Sequence, residues 1–267
     1  MKKYLSFFRM RVMAGLQYRA AALAGMSTQL VWGAMEILLY RAFWLEQPER
    51  FPMGMEALSS YIWLQQAFLT LFALWNWEFN ILESVKTGSV AYELLRPADI
   101  YGMWMAQSMG NRLSRAVLRM VPVLLVGTLI PGPYGLRLPA SPAAFGLFLL
   151  SAVLMVLVVC AYSLLVYALT FYLTDPNGIM VLSVALADLL GGAIVPLPFL
   201  PDGLRQIAAL SPFGSMQNVP LRIFSGDIPL AAAPAAMGLQ VFWAAALMGA
   251  GYALTKTGLR RAVILGG

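Results

Sequence analysis

Histidine is absent from the 267 residues, cysteine occurs once, and charged side chains make up only 11%. Each shortage closes a class of function. Without histidine there is no His-ligated metal or haem, and the commonest general base and proton-relay side chain is missing. Cys160 has no partner and lies in an apolar run, so there is no disulfide framework. A soluble domain carries roughly 25% charged residues, and less than half of that cannot cover a water-facing surface. No G-x-x-x-x-G-K-[ST] run holds a nucleotide in the P-loop manner, since Lys86-Thr87 and Lys256-Thr257 lack the preceding glycines. No G-x-S-x-G is present either, and a serine hydrolase would lack its histidine base.

What remains is apolar. Hydrophobic residues reach 60% and the mean hydropathy is +0.74, so lipid is the solvent for most of the chain. The fold class that follows is all-α: a polytopic membrane protein, one transmembrane domain over 1–267. Six apolar stretches run at about Ala21–Trp44, Leu58–Phe79, Val117–Ile130 (beginning earlier, near Met103), Ala143–Thr174, from Asn177 to the Gly191-Gly192 pair, and Ala233–Leu254. A crossing needs roughly 20 residues for about 30 Å of hydrocarbon.

The net charge of +6 and pI near 9.6 read as a positive-inside bias, with no nucleic acid implied. The N-terminal segment, the loop between the second and third stretches and the C-terminus hold 13 of the 18 Lys and Arg, counting Arg112, Arg115 and Arg119 in the loop. Both termini are therefore expected to be cytoplasmic, which requires an even number of crossings. Residues 1–20 are interrupted by Arg9, Arg11 and Arg19 and do not form a cleavable leader; Leu5, Phe8, Val12 and Leu16 make one stripe, which predicts an interfacial helix.

Two connections carry more than a loop. The cytoplasmic segment 86–98 predicts a short helix started by Gly88-Ser89 and stopped by Pro97. Val90 and Leu94 share a face, flanked by Ala91 and Leu95, with Glu93 and Arg96 three apart. Outside, segment 196–229 holds six prolines yet stays apolar. Pro196, Pro198, Pro201 and Pro212 break it into short re-entrant helices whose apolar pieces, Ile207–Leu210 and Val219–Phe224, must be buried. Two carboxylates, Glu36 and Asp188, lie inside spans. Each costs about 2.5–3.5 kcal/mol to insert and needs a polar partner, water or protonation. The functional reading is a substrate or proton site; the reading preferred is a bundle-facing residue bonded to a neighbour's hydroxyl, amide or Arg.

The run Thr87-Gly88-Ser89-Val90-Ala91-Tyr92-Glu93-Leu94-Leu95-Arg96-Pro97 is similar to the G-x-(small)-x-x-(aromatic)-x-L-L-R-P stretch of a bacterial branch of type-2 ATP-binding-cassette permeases. The order of parts resembles that family over essentially the whole chain. The resemblance implies a permease subunit in a bacterial inner membrane, exporting a drug, peptide or lipid. It implies that Gly88–Pro97 is the coupling helix seated in a separate ATPase, present in two copies, and that the broken external helices form the outer gate. A second permease, homologous or identical, completes the complex, and the chain binds no cofactor itself, since ATP and Mg belong to the partner. Two other classes share the composition. A secondary transporter would show inverted repeats and a midplane ionisable cluster, and neither is visible. A membrane-embedded scaffold or assembly factor would share the topology.

Overall fold

The computed structural model describes residues 2–17, 19–173 and 175–261, and the side chains of 19–24 are not described. Among the described residues the regular structure is helical. In chain order the helices are α1 (Lys2–Gly15), α2 (Arg19–Glu46), α3 (Met55–Phe72), α4 (Phe79–Lys86), α5 (Val90–Leu94), α6 (Ile100–Leu129), α7 (Pro142–Leu169), α8 (Asn177–Leu190), α9 (Asp202–Leu210), α10 (Asn218–Ser225) and α11 (Ala233–Leu259). By length and apolar composition α7 and α11 pass as membrane spans, while α8 is apolar but shorter.

Helix ends are set by local chemistry. Asp99 caps α6 by accepting from the Gly102 N–H at 2.8 Å, directly after Pro97 has stopped the preceding turn. Ser141 caps α7 through the Ala144 N–H at 3.1 Å, with Pro142 in the first helical position where no N–H is needed. Gly226, at φ +80°, terminates α10, and Arg222 pairs with Asp227 at 2.5 Å across the turn.

Long-range hydrogen bonds tie the helices together at both ends of the bundle. The N-terminal part of α3 meets the chain leaving α6, where Trp63 Nε1 donates to the Tyr134 carbonyl at 2.9 Å and the Arg137 N–H to Ser60 Oγ at 3.0 Å. The C-terminal part of α7 returns to the other end, where the Tyr167 hydroxyl accepts from the Glu78 N–H at 2.8 Å. Helices α7 and α11 lie side by side, joined by Ser151 Oγ donating to Gln240 Oε1 at 2.8 Å. One apolar core, around Trp104, Met155, Leu164 and Tyr167, lies toward the α5 end. A second, around Leu58, Ile62, Trp63, Val123 and Phe224, lies toward the α10 end.

Several boundaries differ from the sequence reading. The second apolar stretch does not continue to Phe79: α3 stops at Phe72, and the chain breaks over 73–78 before α4. The break is stabilised by Arg112, which is 0% exposed and donates to the carbonyls of Leu71 at 3.1 Å and Ala73 at 2.8 Å, and to Ser163 Oγ at 3.1 Å. These bonds satisfy carbonyls that a helix end leaves bare. Arg112, Arg115 and Arg119 therefore belong to the long helix α6, which begins at Ile100, and not to a loop. Helix α7 ends at Leu169, short of position 174, which lies outside the described residues. On α1 the side facing α6 carries Tyr4, Phe8, Arg11 and Gly15, while Leu5 points away and is exposed.

Candidate functional site

Helices α2 and α3 and the turn after α8 enclose a groove of about 980 Å³. Gln29, Trp32 and Glu36 recur on α2 at spacings of three and four, so one face presents all three to it. Helix α3 adds Gln65, Gln66 and Leu69. Glu36 Oε2 accepts from Gln65 Nε2 at 3.5 Å and Gln66 Nε2 at 3.4 Å, both long for such bonds. Its Oε1 is buried without a partner.

The far wall is the turn Gly191–Ile194. Gly192 sits at φ +87°, a conformation that side chains with a Cβ avoid. Its carbonyl accepts from the Tyr61 hydroxyl at 3.1 Å, and the Ala193 carbonyl from Gln65 Nε2 at 3.0 Å. Helix α3 thereby holds the turn against itself, and Asp188 reaches the same groove as Glu36. The two carboxylates far apart in sequence are brought to one site. The expected polar partner exists for Glu36 and not for Asp188: among the described residues no donor reaches the Asp188 carboxylate. Asp188 is half-buried at the groove wall.

The segment 86–98 is shorter in helix than its sequence indicates. Gly88, at φ +74°, turns the chain into α5, which spans five residues. Val90 is buried in the core at the α5 end, so it does not share an exposed stripe with Leu94. Ala91 is half-buried. Glu93 accepts from Trp104 Nε1 at 2.9 Å and is not paired with Arg96. The Pro97 carbonyl accepts from Lys3 Nζ on α1. The outward side is formed by Tyr92 at 76% exposure, Leu94 at 51% and Leu95 at 82%, with Arg96 beside them. Five residues make little more than one turn, and a helix that short stays in place only by burying a side chain, here Val90, in the core.

At the opposite end Pro196 and Pro198 are buried around the 3-10 turn Leu197–Phe199, Pro201 is exposed immediately before α9, and Pro212 is half-buried after it. Phe199 packs on Tyr40 of α2 and on Phe51, each at 5.0 Å between centroids. Val219, Leu221, Ile223 and Phe224 of α10 are buried against α3 and α7. Ile207 and Leu210 of α9 are not buried, contrary to expectation; α9 turns only Ala208 fully inward.

Gln29, Gln65 and Arg112 were not legible as site or joint residues in advance. The seven-residue spacing of Gln29 and Glu36 was the one local signal, two helical turns on one face.

A bundle of long, largely apolar helices with a polar-lined groove between α2, α3 and the turn after α8 fits the membrane subunit of a transporter. The particular family is settled by its family model, described as ABC-2 family transporter protein, which matches residues 30–266. The chain belongs to this family and is an ABC-2 type permease, the membrane subunit of an ABC transporter that works with an ABC ATPase. No curated protein and no solved structure matches it.

Proposed function

We propose that this permease moves an amphiphilic or hydrophobic substrate (a drug, peptide or lipid) out of the cytoplasm, driven by ATP hydrolysed on the partner ATPase. In this reading α2, α3, α6, α7, α8 and α11 are six crossings of a bacterial inner membrane, and both termini are cytoplasmic. Two ATPase copies, carrying ATP and Mg, serve two permeases, the second homologous or identical to this chain. The groove on α2 and α3 is half of the substrate path, and the exposed apolar face of α2 (Val31, Met35, Leu38) is where the second permease closes it. Segment 196–229 covers the outer end as a gate.

The observation that carries the reading is the patch Tyr92, Leu94 and Leu95. It is apolar, exposed, and held on a turn anchored by buried Val90, by the Glu93–Trp104 bond and by Lys3. Exposed apolar side chains scattered singly need no explanation, but a fixed cluster marks an interface. A partner's rigid-body motion passes through such an element to α4 and α6. Replacing Leu94→Ala with Leu95→Ala removes anchors worth about 2–4 kcal/mol together at an interface. Co-purification of the ATPase with the double variant falls at least tenfold, while the chain stays monodisperse. Equal recovery with transport intact places the coupling surface elsewhere.

A further inference from the structure

We infer that the groove between α2, α3 and the α8 turn selects lipophilic organic cations. The inference deepens the permease reading by naming the charge of the substrate, and rests on that reading only for the direction of movement. Glu36 and Asp188 line the groove, and no Lys or Arg does. Within a chain of net charge +6 this wall is acidic. Neither carboxylate is compensated from within: Glu36 has two long amide contacts to one oxygen and none to the other, and Asp188 has no donor among the described residues.

Gln29 is the independent sign that a ligand is missing. It is 3% exposed, it lines the groove, and neither atom of its amide has a hydrogen-bond partner. A buried amide with nothing to bind is rare in a finished interior and marks a place completed by something else.

The countercharge has few sources. A bare metal ion wants a dense set of oxygen ligands, and no cluster of three or more metal-binding side chains exists among the described residues. A second copy of this chain brings the same acidic wall and no basic one. The remaining surface is apolar and aromatic, with Leu38, Leu39, Leu69 and the exposed rings of Trp32 and Trp75. Indole faces attract organic cations, most strongly where water is sparse. The volume is that of a drug-sized ligand site. An apolar body with one delocalised or quaternary positive charge satisfies every one of these features at once.

The test uses the full chain in lipid nanodiscs without ATP. Binding of tetraphenylphosphonium is compared with binding of tetraphenylborate, which has nearly the same shape and the opposite charge. Wild type is expected to bind the phosphonium saturably and at least tenfold more tightly than the borate. Glu36→Gln with Asp188→Asn is expected to weaken phosphonium binding at least tenfold and to narrow the gap between the two ions. Equal binding of both ions by wild type, no saturable phosphonium binding, or a folded double variant that binds as wild type overturns the inference. The ion comparison needs no variant, so misfolding does not shield it. ATPase recruited without cation binding overturns this inference alone; cation binding without ATPase recruitment strikes the export reading alone.

Discussion

Gly192 is the residue on which the shape of the groove depends most directly. A Cβ placed there would lie 2.7 Å from the Tyr61 hydroxyl and 3.1 Å from Leu197 Cδ1, on backbone already at φ +87°. Left-handed backbone costs a residue with a Cβ about 1–2 kcal/mol, and the displaced Tyr61 also loses its bond to the Gly192 carbonyl. Gly192→Ala is therefore expected to lower the unfolding midpoint in detergent. Gly178→Ala, in the first turn of α8 with open space around the added methyl, is expected to leave it unchanged or raise it. Identical melting of the two variants would show that the turn is not held in this way. At this scale sequence was informative about charge and poor about partners. Glu36 and Asp188 stand out because carboxylates are rare in apolar runs. Nothing local reveals that Gln65 serves both Glu36 and the Ala193 carbonyl, 128 positions away.

Among the elements, α5 owes its position to α6. Trp104 donates to Glu93 and lies on Phe171, with centroids 6.4 Å apart and planes 18° from parallel. Trp104→Phe keeps a ring in the core and deletes the N–H. A hydrogen bond to a charged group contributes about 1.5–3 kcal/mol, so amide exchange over 90–95 should accelerate roughly tenfold or more. Amides in the middle of α6 should not change; uniform acceleration would mean that the bundle, and not the tether, has been weakened. The ends of this element were visible in Gly88 and Pro97, because both act through their own backbone. The inward turn of Val90 was not, because so short a helix has no periodicity to read. Helix α4 was hidden for another reason: Ala73, Leu74 and Trp75 carry the apolar run past Phe72, and the break is stabilised by an arginine about 40 positions away.

For the whole molecule, each of the six apolar stretches overlaps one of α2, α3, α6, α7, α8 and α11, in that order. Counting hydropathy found them because long apolar helices need no partner to be recognised; their ends moved because ends are tertiary. Glu49, Arg137 and Asp202 all lie at the α10 end and are exposed, while Leu95 is exposed at the other. If both termini are cytoplasmic, cysteine at any of the first three reacts with an impermeant thiol reagent in whole cells, and cysteine at 95 reacts only after the membrane is opened. Cys160 is fully buried and contributes no background. The reverse pattern would invert the proposed orientation.

The joint at Arg112 also has a history in time. Leu71 and Ala73 are synthesised 41 and 39 residues before the side chain that will satisfy their carbonyls. At about 5–20 residues per second, the acceptors wait roughly 2–8 s for their donor to leave the ribosome. Throughout that interval α3 is a helix with an unfinished end, and water or the insertion machinery must stand in for the guanidinium. The third long helix to emerge thus completes the second, which makes the order of synthesis part of how this bundle is built.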